Sequence, residues 1–119
     1  MSYVDGYLIP VPNANKAQYK AMAELGAQVF IDHGASHVSE NWGEDMMKGK
    51  STDFFMAVKA GEDEAVVFSW IVWPDKATRD AGNKAAMEDP RFKEWEGVNV
   101  FDGKRLIYSG FENLVDVKG

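Results

Sequence analysis

Two carboxylates in this sequence stand where their surroundings can give them chemistry. Glu40 falls between Val38 and Trp42 in the alternating stretch His37 to Trp42, so a strand there sets all three on one face. Burial makes a carboxylate harder to ionise, which suits it to acid or base work. Asp5, between Tyr3 and Tyr7, poses the same question. The simpler reading of both is an edge-strand carboxylate in water or half of a structural ion pair. Arg105 can pair with either carboxylate or bind an anionic ligand, structural pairing being the plainer role, and Tyr108 offers a hydroxyl on the opposite strand face. Trp42 and Trp70 can wall an aromatic pocket or simply fill the core. Glu40 and Asp5 are therefore the candidate acid–base residues, and Trp42, Trp70, Arg105 and Tyr108 the candidate ligand contacts.

Other motifs carry less. Lys48-Gly49-Lys50-Ser51-Thr52 resembles the end of a phosphate-binding loop, but Gly43 lies six rather than five positions before Gly49 and Glu44 and Asp45 would repel phosphate. His33 and His37 have the spacing of a helical metal pair, yet Gly34 is expected to end the helix between them, and two ligands are fewer than a stable site needs. No metal site is expected. His33 fits a helix C-terminus, where a cation is favoured.

These residues need elements to hold them, and the stretch Ala65 to Trp73, AVVFSWIVW, organises the rest. Eight of its nine residues are apolar and only Ser69 interrupts. Nine residues rich in Val, Ile and Trp, ended by Pro74, read as a strand buried on both faces. Tyr3 to Ile9 reads as a first strand stopped by Pro10 and Pro12. Asn15 and Gln18 have the spacing of a capping box. The stripe Tyr19, Met22, Leu25, Gly26, Val29, Phe30 and His33 predicts a helix that Gly34 terminates, with Gly26 allowing close approach to a sheet. His37 to Trp42 is a second strand. Phe54 to Lys59 is a short strand forming a hairpin with the central one, or the second part of an interrupted strand. Asp75 is a plausible N-cap for a helix through Glu88, Asp89-Pro90 opens a short helical turn bearing Phe92 and Trp95, and Lys104 to Val115 is a last strand after the Asp102-Gly103 turn.

The whole chain bounds the answer. Its 119 residues suit a single domain, 1–119, with one core. A net charge of −6, with basic residues scattered, argues against nucleic acid as a partner. There is no cysteine, and no apolar run long enough to span a membrane or lead an export signal, so a cytoplasmic protein with no membrane partner is expected. Five strands are one more than an α+β, ferredoxin-like fold with an antiparallel sheet has; with His37 to Trp42 and Phe54 to Lys59 as two parts of one strand, the order becomes its strand, helix, strand, strand, helix, strand. Both helices of such a fold cover one sheet face. The apolar residues on the other face predict a homodimer that packs two sheets face to face and closes a barrel-like interior with room for a small-molecule ligand.

The segments YVDGYLIPVP, SENWGEDMMKGKSTDF, VVFSWIVWPDKATRDAGN and FDGKRLIYSGFE resemble the YbaA-like bacterial family of unknown function. The resemblance covers nearly the whole chain and implies the same ferredoxin-like protomer in a homodimer, the dimeric α/β barrel of that superfamily, but it brings no catalytic residues. The sequence is read as a small-molecule-binding dimer, first as a cofactor-independent enzyme acting on an aromatic or lipophilic compound. The alternative is a non-catalytic metabolite-binding or protein-interaction module. No cofactor is expected.

Overall fold

A computed structural model describes all 119 residues. Four strands, β1 (Tyr3–Pro12), β2 (His37–Trp42), β3 (Glu64–Trp73) and β4 (Ile107–Glu112), form one antiparallel sheet in the order β2-β3-β1-β4. Helix α1 (Lys16–Asp32) crosses from β1 to β2 and α3 (Lys76–Met87) from β3 to β4, which is the ferredoxin-like split β-α-β arrangement. Between β2 and β3 lies a single helical turn, α2 (Phe54–Ala57).

β1 and β3 are the long central pair, in register from Tyr3 opposite Trp73 to Pro12 opposite Glu64. Alternation sends Ile9, Val11, Val67, Ile71 and Trp73 to the face that α1 and α3 cover, and all five are buried. Tyr19 of α1 packs with Ile9, Val11 and Val67, and Val29 of the same helix is also buried. Phe30 packs edge-on against Trp73 with ring centroids 6.2 Å apart. Gly82 lets α3 pack tightly on the sheet, since a Cβ there would lie 2.3 Å from the Trp73 ring. Gly26 does not serve that purpose, because its neighbour is Phe92 of the 3-10 helix Pro90–Trp95. Gly34, at φ 111°, ends α1 as expected.

Several local expectations change. Phe54 to Lys59 forms no strand, so neither a hairpin with β3 nor an interrupted strand exists, and β2 itself pairs with β3. The reason is Asp53, whose carboxylate accepts hydrogen bonds from the backbone N–H groups of Met56 and Gly49 and so starts a helical turn in an aromatic-rich stretch. Asn15 and Gln18 make no capping box; Asn15 Nδ2 instead donates to the Val100 carbonyl at 2.9 Å. Asp75 does cap α3, accepting from Thr78 N at 2.7 Å. The last strand is shorter than Lys104 to Val115. Asp102 holds Lys104 N in a turn, and β1 offers no ladder partner beyond the Tyr3–Glu112 pair.

The second sheet face is only partly covered. α2 lies against it at one end, where Pro10, Val58 and Val66 are buried. Further along, Phe68, Ile107 and Phe111 are 47%, 48% and 55% exposed, so β3 is enclosed on one face and open along much of the other.

Candidate functional site

Edge strand β2 sets Val38, Glu40 and Trp42 on the helix side of the sheet, and register places Glu40 directly opposite Ser69 of β3. Ser69 Oγ donates to Glu40 Oε2 at 2.9 Å, and the Tyr19 hydroxyl, brought over from α1, donates to Oε1 at 2.5 Å. Each oxygen of the carboxylate is thus held by one hydroxyl. Burial raises the Tyr19 pKa far above its ordinary value, and the neighbouring Glu40 charge and hydrogen bond raise it further. Tyr19 therefore stays a phenol that donates, and Glu40 is the group left to accept.

Glu40 is exposed in the single chain, as an edge-strand carboxylate in water would be and not buried, and it lies where two pockets meet. A cleft of ≈ 660 Å³ runs between α1 and β2, lined by Ala17, Tyr19, Ala23, Ala27, Val38 and Trp42, with Lys16, Lys20 and Glu24 along α1. The Lys16 ammonium sits 5.4 Å from the centre of the Trp42 ring. A second pocket of ≈ 250 Å³, as open as the cleft, lies between the helices and the sheet and shares Tyr19, Ala23, Ala27, Val38 and Glu40 with it. Trp95 also lines this pocket, with its indole N–H turned into the protein and buried without a hydrogen-bond partner.

Asp5 sits elsewhere and is fully engaged. It is 1% exposed and accepts from Arg79 Nη2 at 2.8 Å, Arg79 Nε at 3.0 Å, Trp73 Nε1 at 3.0 Å and Asn83 Nδ2 at 3.3 Å. That pairing raises the Arg79 pKa above its ordinary value. Tyr7, packed beside the pair, is pushed up to about 12, by burial first and then by the Asp5 charge. Asp5 lines neither the cleft nor the second pocket.

The remaining candidates scatter. Trp70 projects from the opposite sheet face, 5.2 Å from the Phe68 ring and 6.4 Å from His37, so it does not meet Trp42. Tyr108 stacks on Tyr7 across the β1–β4 pair at 5.6 Å. Arg105 pairs with neither Glu40 nor Asp5; it binds Glu64 through two contacts of 2.7 Å, Asp102 at 2.9 Å and the Lys59 carbonyl at 2.8 Å. His33 meets Asp89 at 2.9 Å, and no three His, Asp or Glu side chains converge as a metal cage would require. Of the six residues singled out, Glu40 and Trp42 share one cleft. Sequence reasoning passed over Ser69, whose signal was being the lone polar residue in an apolar strand, and Tyr19, which reads as core on its helix stripe. Arg79 and Trp95 gave no signal, because their partners are set only by the folded chain.

The chain matches, over residues 2–103, the family described as "Protein of unknown function (DUF1428)". It is 51% identical over 116 residues to the uncharacterized protein YbaA of Escherichia coli (strain K12), a match that spans 98% of this chain and 99% of that protein. Among solved structures it is similar to SnoaB, a cofactor-independent oxygenase from Streptomyces nogalater, with a TM-score of 0.58 and 12% identity over 99% of this chain and 98% of the other. It is also similar to a variant of MhuD crystallised with two manganese protoporphyrin IX molecules in each active site, with a TM-score of 0.60 and 17% identity over 98% and 99% of the two chains. Identities this low carry the fold and leave the chemistry to the residues of this chain.

Proposed function

We propose, for a chain that belongs to the DUF1428 family together with YbaA, a small-molecule-binding dimer that removes a proton from an aromatic or lipophilic compound without a cofactor. The observation that carries this reading is Glu40, fixed by Tyr19 and Ser69 where two largely apolar pockets meet. A carboxylate has about four lone-pair directions, and two are taken here, so the others are available to a ligand. The ligand's acidic O–H or C–H proton passes to Glu40 and its conjugate base stays in the site, with Tyr19 and Ser69 keeping the carboxylate aimed. Trp42 supplies an aromatic wall. Asp5, saturated by Arg79, Trp73 and Asn83, is assigned to structure. The S. nogalater neighbour, described as a cofactor-independent oxygenase, is in keeping with chemistry run by side chains on this fold.

The same reading pairs two copies through the second sheet face, burying Phe68, Ile107 and Phe111 and completing a barrel-like interior. No helix is long and apolar enough to cross a membrane. We place the protein in the cytoplasm, as its lack of cysteine favours.

The test uses 2-tetralone, a neutral bicyclic ketone with weakly acidic C–H groups, in D₂O. Deuterium uptake followed by NMR is expected to be faster with the protein than in buffer, and Glu40→Gln is expected to lower that gain roughly 100-fold or more. Equal uptake with the wild-type protein and the variant removes Glu40 from this role. If 2-tetralone binds in the cleft and uptake stays at the buffer rate, the protein is a binding module.

A further inference from the structure

Two lysines of α1 line the cleft beside Glu40, and they differ in what they meet. Lys20 lies 3.9 Å from Glu24, one turn further along the helix. Lys16 pairs with no carboxylate, and its ammonium sits against the Trp42 ring. Lys16 is exposed, so its N–H donors are open to a ligand. It also opens α1, where the helix dipole disfavours a cation and no acidic residue of the first turn offsets it. Helix stability does not account for this lysine. Glu40 stands two residues before Trp42 on the same strand face, about 7 Å away along β2. Beyond Glu40 the lining turns apolar, with Val38, Ala23 and Ala27. The cleft therefore has a free cation at one end, a proton acceptor in the middle and an apolar far end.

We propose that Lys16 is a ligand-binding residue and that the compound deprotonated at Glu40 is an aromatic acid, its carboxylate held by the Lys16 ammonium at the Trp42 end of the cleft. This rests on the reading of Glu40 as the proton acceptor. The order of charges then sets where the ligand's own charge belongs. A carboxylate beside the carbon that gives up its proton would face Glu40 and be repelled. One on the far side of the ring system reaches Lys16 while the acidic C–H faces Glu40. Glu24, the other carboxylate of the cleft, is offset by Lys20. The C–H bond breaks, the proton goes to Glu40 and the electron pair stays on the ligand as an enolate. An exposed ion pair adds only modestly to affinity, so Lys16 chooses among ligands that the apolar lining already accepts.

Four compounds test this on the intact protein: 2-tetralone, its 6-carboxylate, its 6-carboxamide and its 8-carboxylate. The 6-position lies across the ring system from the acidic C1 methylene, and the 8-position lies beside it. Deuterium uptake at C1 is followed by NMR in D₂O, each compound against its own rate in buffer, with KM separated from kcat. The 6-carboxylate is expected to show a KM up to about fivefold below that of the 6-carboxamide, which has its shape without its charge. The 8-carboxylate is expected to bind more weakly than 2-tetralone. Lys16→Gln should bring the 6-carboxylate to the KM of the 6-carboxamide, and Lys16→Arg should keep them apart. In the wild-type protein, salt at about 0.5 M should narrow the same gap, as screening of an exposed pair requires. Equal KM values for the 6-carboxylate and 6-carboxamide, or a gap that survives Lys16→Gln, overturn the assignment of Lys16. The Glu40 site still stands in that case if 2-tetralone uptake is lost in Glu40→Gln. An 8-carboxylate bound as well as the 6-carboxylate overturns the placing of the charge, and uptake of all four at the buffer rate overturns both readings.

Discussion

Glu40 differs from Asp5 in what its oxygens can still do. Two hydroxyls hold Glu40 and leave lone pairs facing a cleft, whereas a guanidinium, an indole and an amide close over Asp5. Removing either hydroxyl tests the first arrangement. Tyr19→Phe and Ser69→Ala each take one hydrogen bond from Glu40, so each is expected to cost about 1 kcal/mol of stability in urea unfolding and to slow deuterium uptake by 2-tetralone. Unchanged uptake in both variants would mean that Glu40 needs no positioning. Tyr7 gives a separate alkaline signature. Its pKa is raised to about 12 by burial and by Asp5, so the folded state holds its proton while the unfolded chain loses it near 10. The stability this contributes is complete below pH 10 and is lost as pH climbs toward 12. Far-ultraviolet ellipticity should accordingly be lost across that range, and Tyr7→Phe should flatten the fall in stability. The carboxylate at Glu40 was legible in the sequence because strand alternation sets its face. The ion pair of Asp5 was not, since Arg79 lies 74 residues away on a largely polar helix and nothing local marks it.

At the scale of elements, the site depends on α1 being held at a fixed distance from the sheet. Two ties do this at its C-terminal end. α3 packs so closely on Trp73 that a Cβ at Gly82 would lie 2.3 Å from the ring and 2.6 Å from the His33 carbonyl at the end of α1. Gly82→Ala is expected to destabilise by roughly 1–3 kcal/mol, read from the denaturant midpoint, because the ring and the helix end must both yield. The second tie is ionic. Asp89 accepts from Arg91 and His33, and Arg91 reaches Asp32 on α1 at 2.7 Å. These contacts, Arg91 first, hold the Asp89 carboxyl below the usual carboxylate range. A depressed pKa contributes stability above the unfolded value of about 4 and loses it as pH falls further. Asp89→Asn should therefore lower stability at neutral pH and shrink its loss between pH 5 and 2; an unchanged acid slope would remove Asp89 from that tie. The elements themselves were mostly readable. β3, α1 and the Asp75 cap followed from apolar period and capping chemistry, which are local. Phe54 to Lys59 misled because its aromatic content suits a strand while one residue outside it, Asp53, starts a helical turn. The extent of β4 was unreadable because the length of β1, far away in sequence, decides where the ladder stops.

The whole molecule exposes more surface than a chain of its size should keep. A folded monomer of 13.3 kDa is expected to expose about 6,450 Å², and this one exposes 7899 Å². Its radius of gyration is 14.9 Å, against about 13.5 Å for a compact domain of this length. The residues after β4 contribute, with Leu114 and Val117 standing free, and so does the second sheet face. The excess exceeds the roughly 800 Å² that one partner buries in a standard interface. The same conclusion was foreshadowed in the sequence, where β3 has an apolar residue on both faces at nearly every step and the chain has only two long helices to cover them. Phe68 lies at the middle of the open face, in contact with Phe54 and Trp70, and remains 47% exposed in the single chain. Phe68→Glu therefore places a charge that water can solvate on one protomer and that a facing sheet would bury in a dimer. Sedimentation at micromolar concentration is expected to give a dimer for the wild-type chain and a folded monomer for Phe68→Glu, with Phe111→Glu behaving alike. A dimer that survives both substitutions would move the interface off this face, and a wild-type monomer would leave the apolar surface without the partner proposed for it.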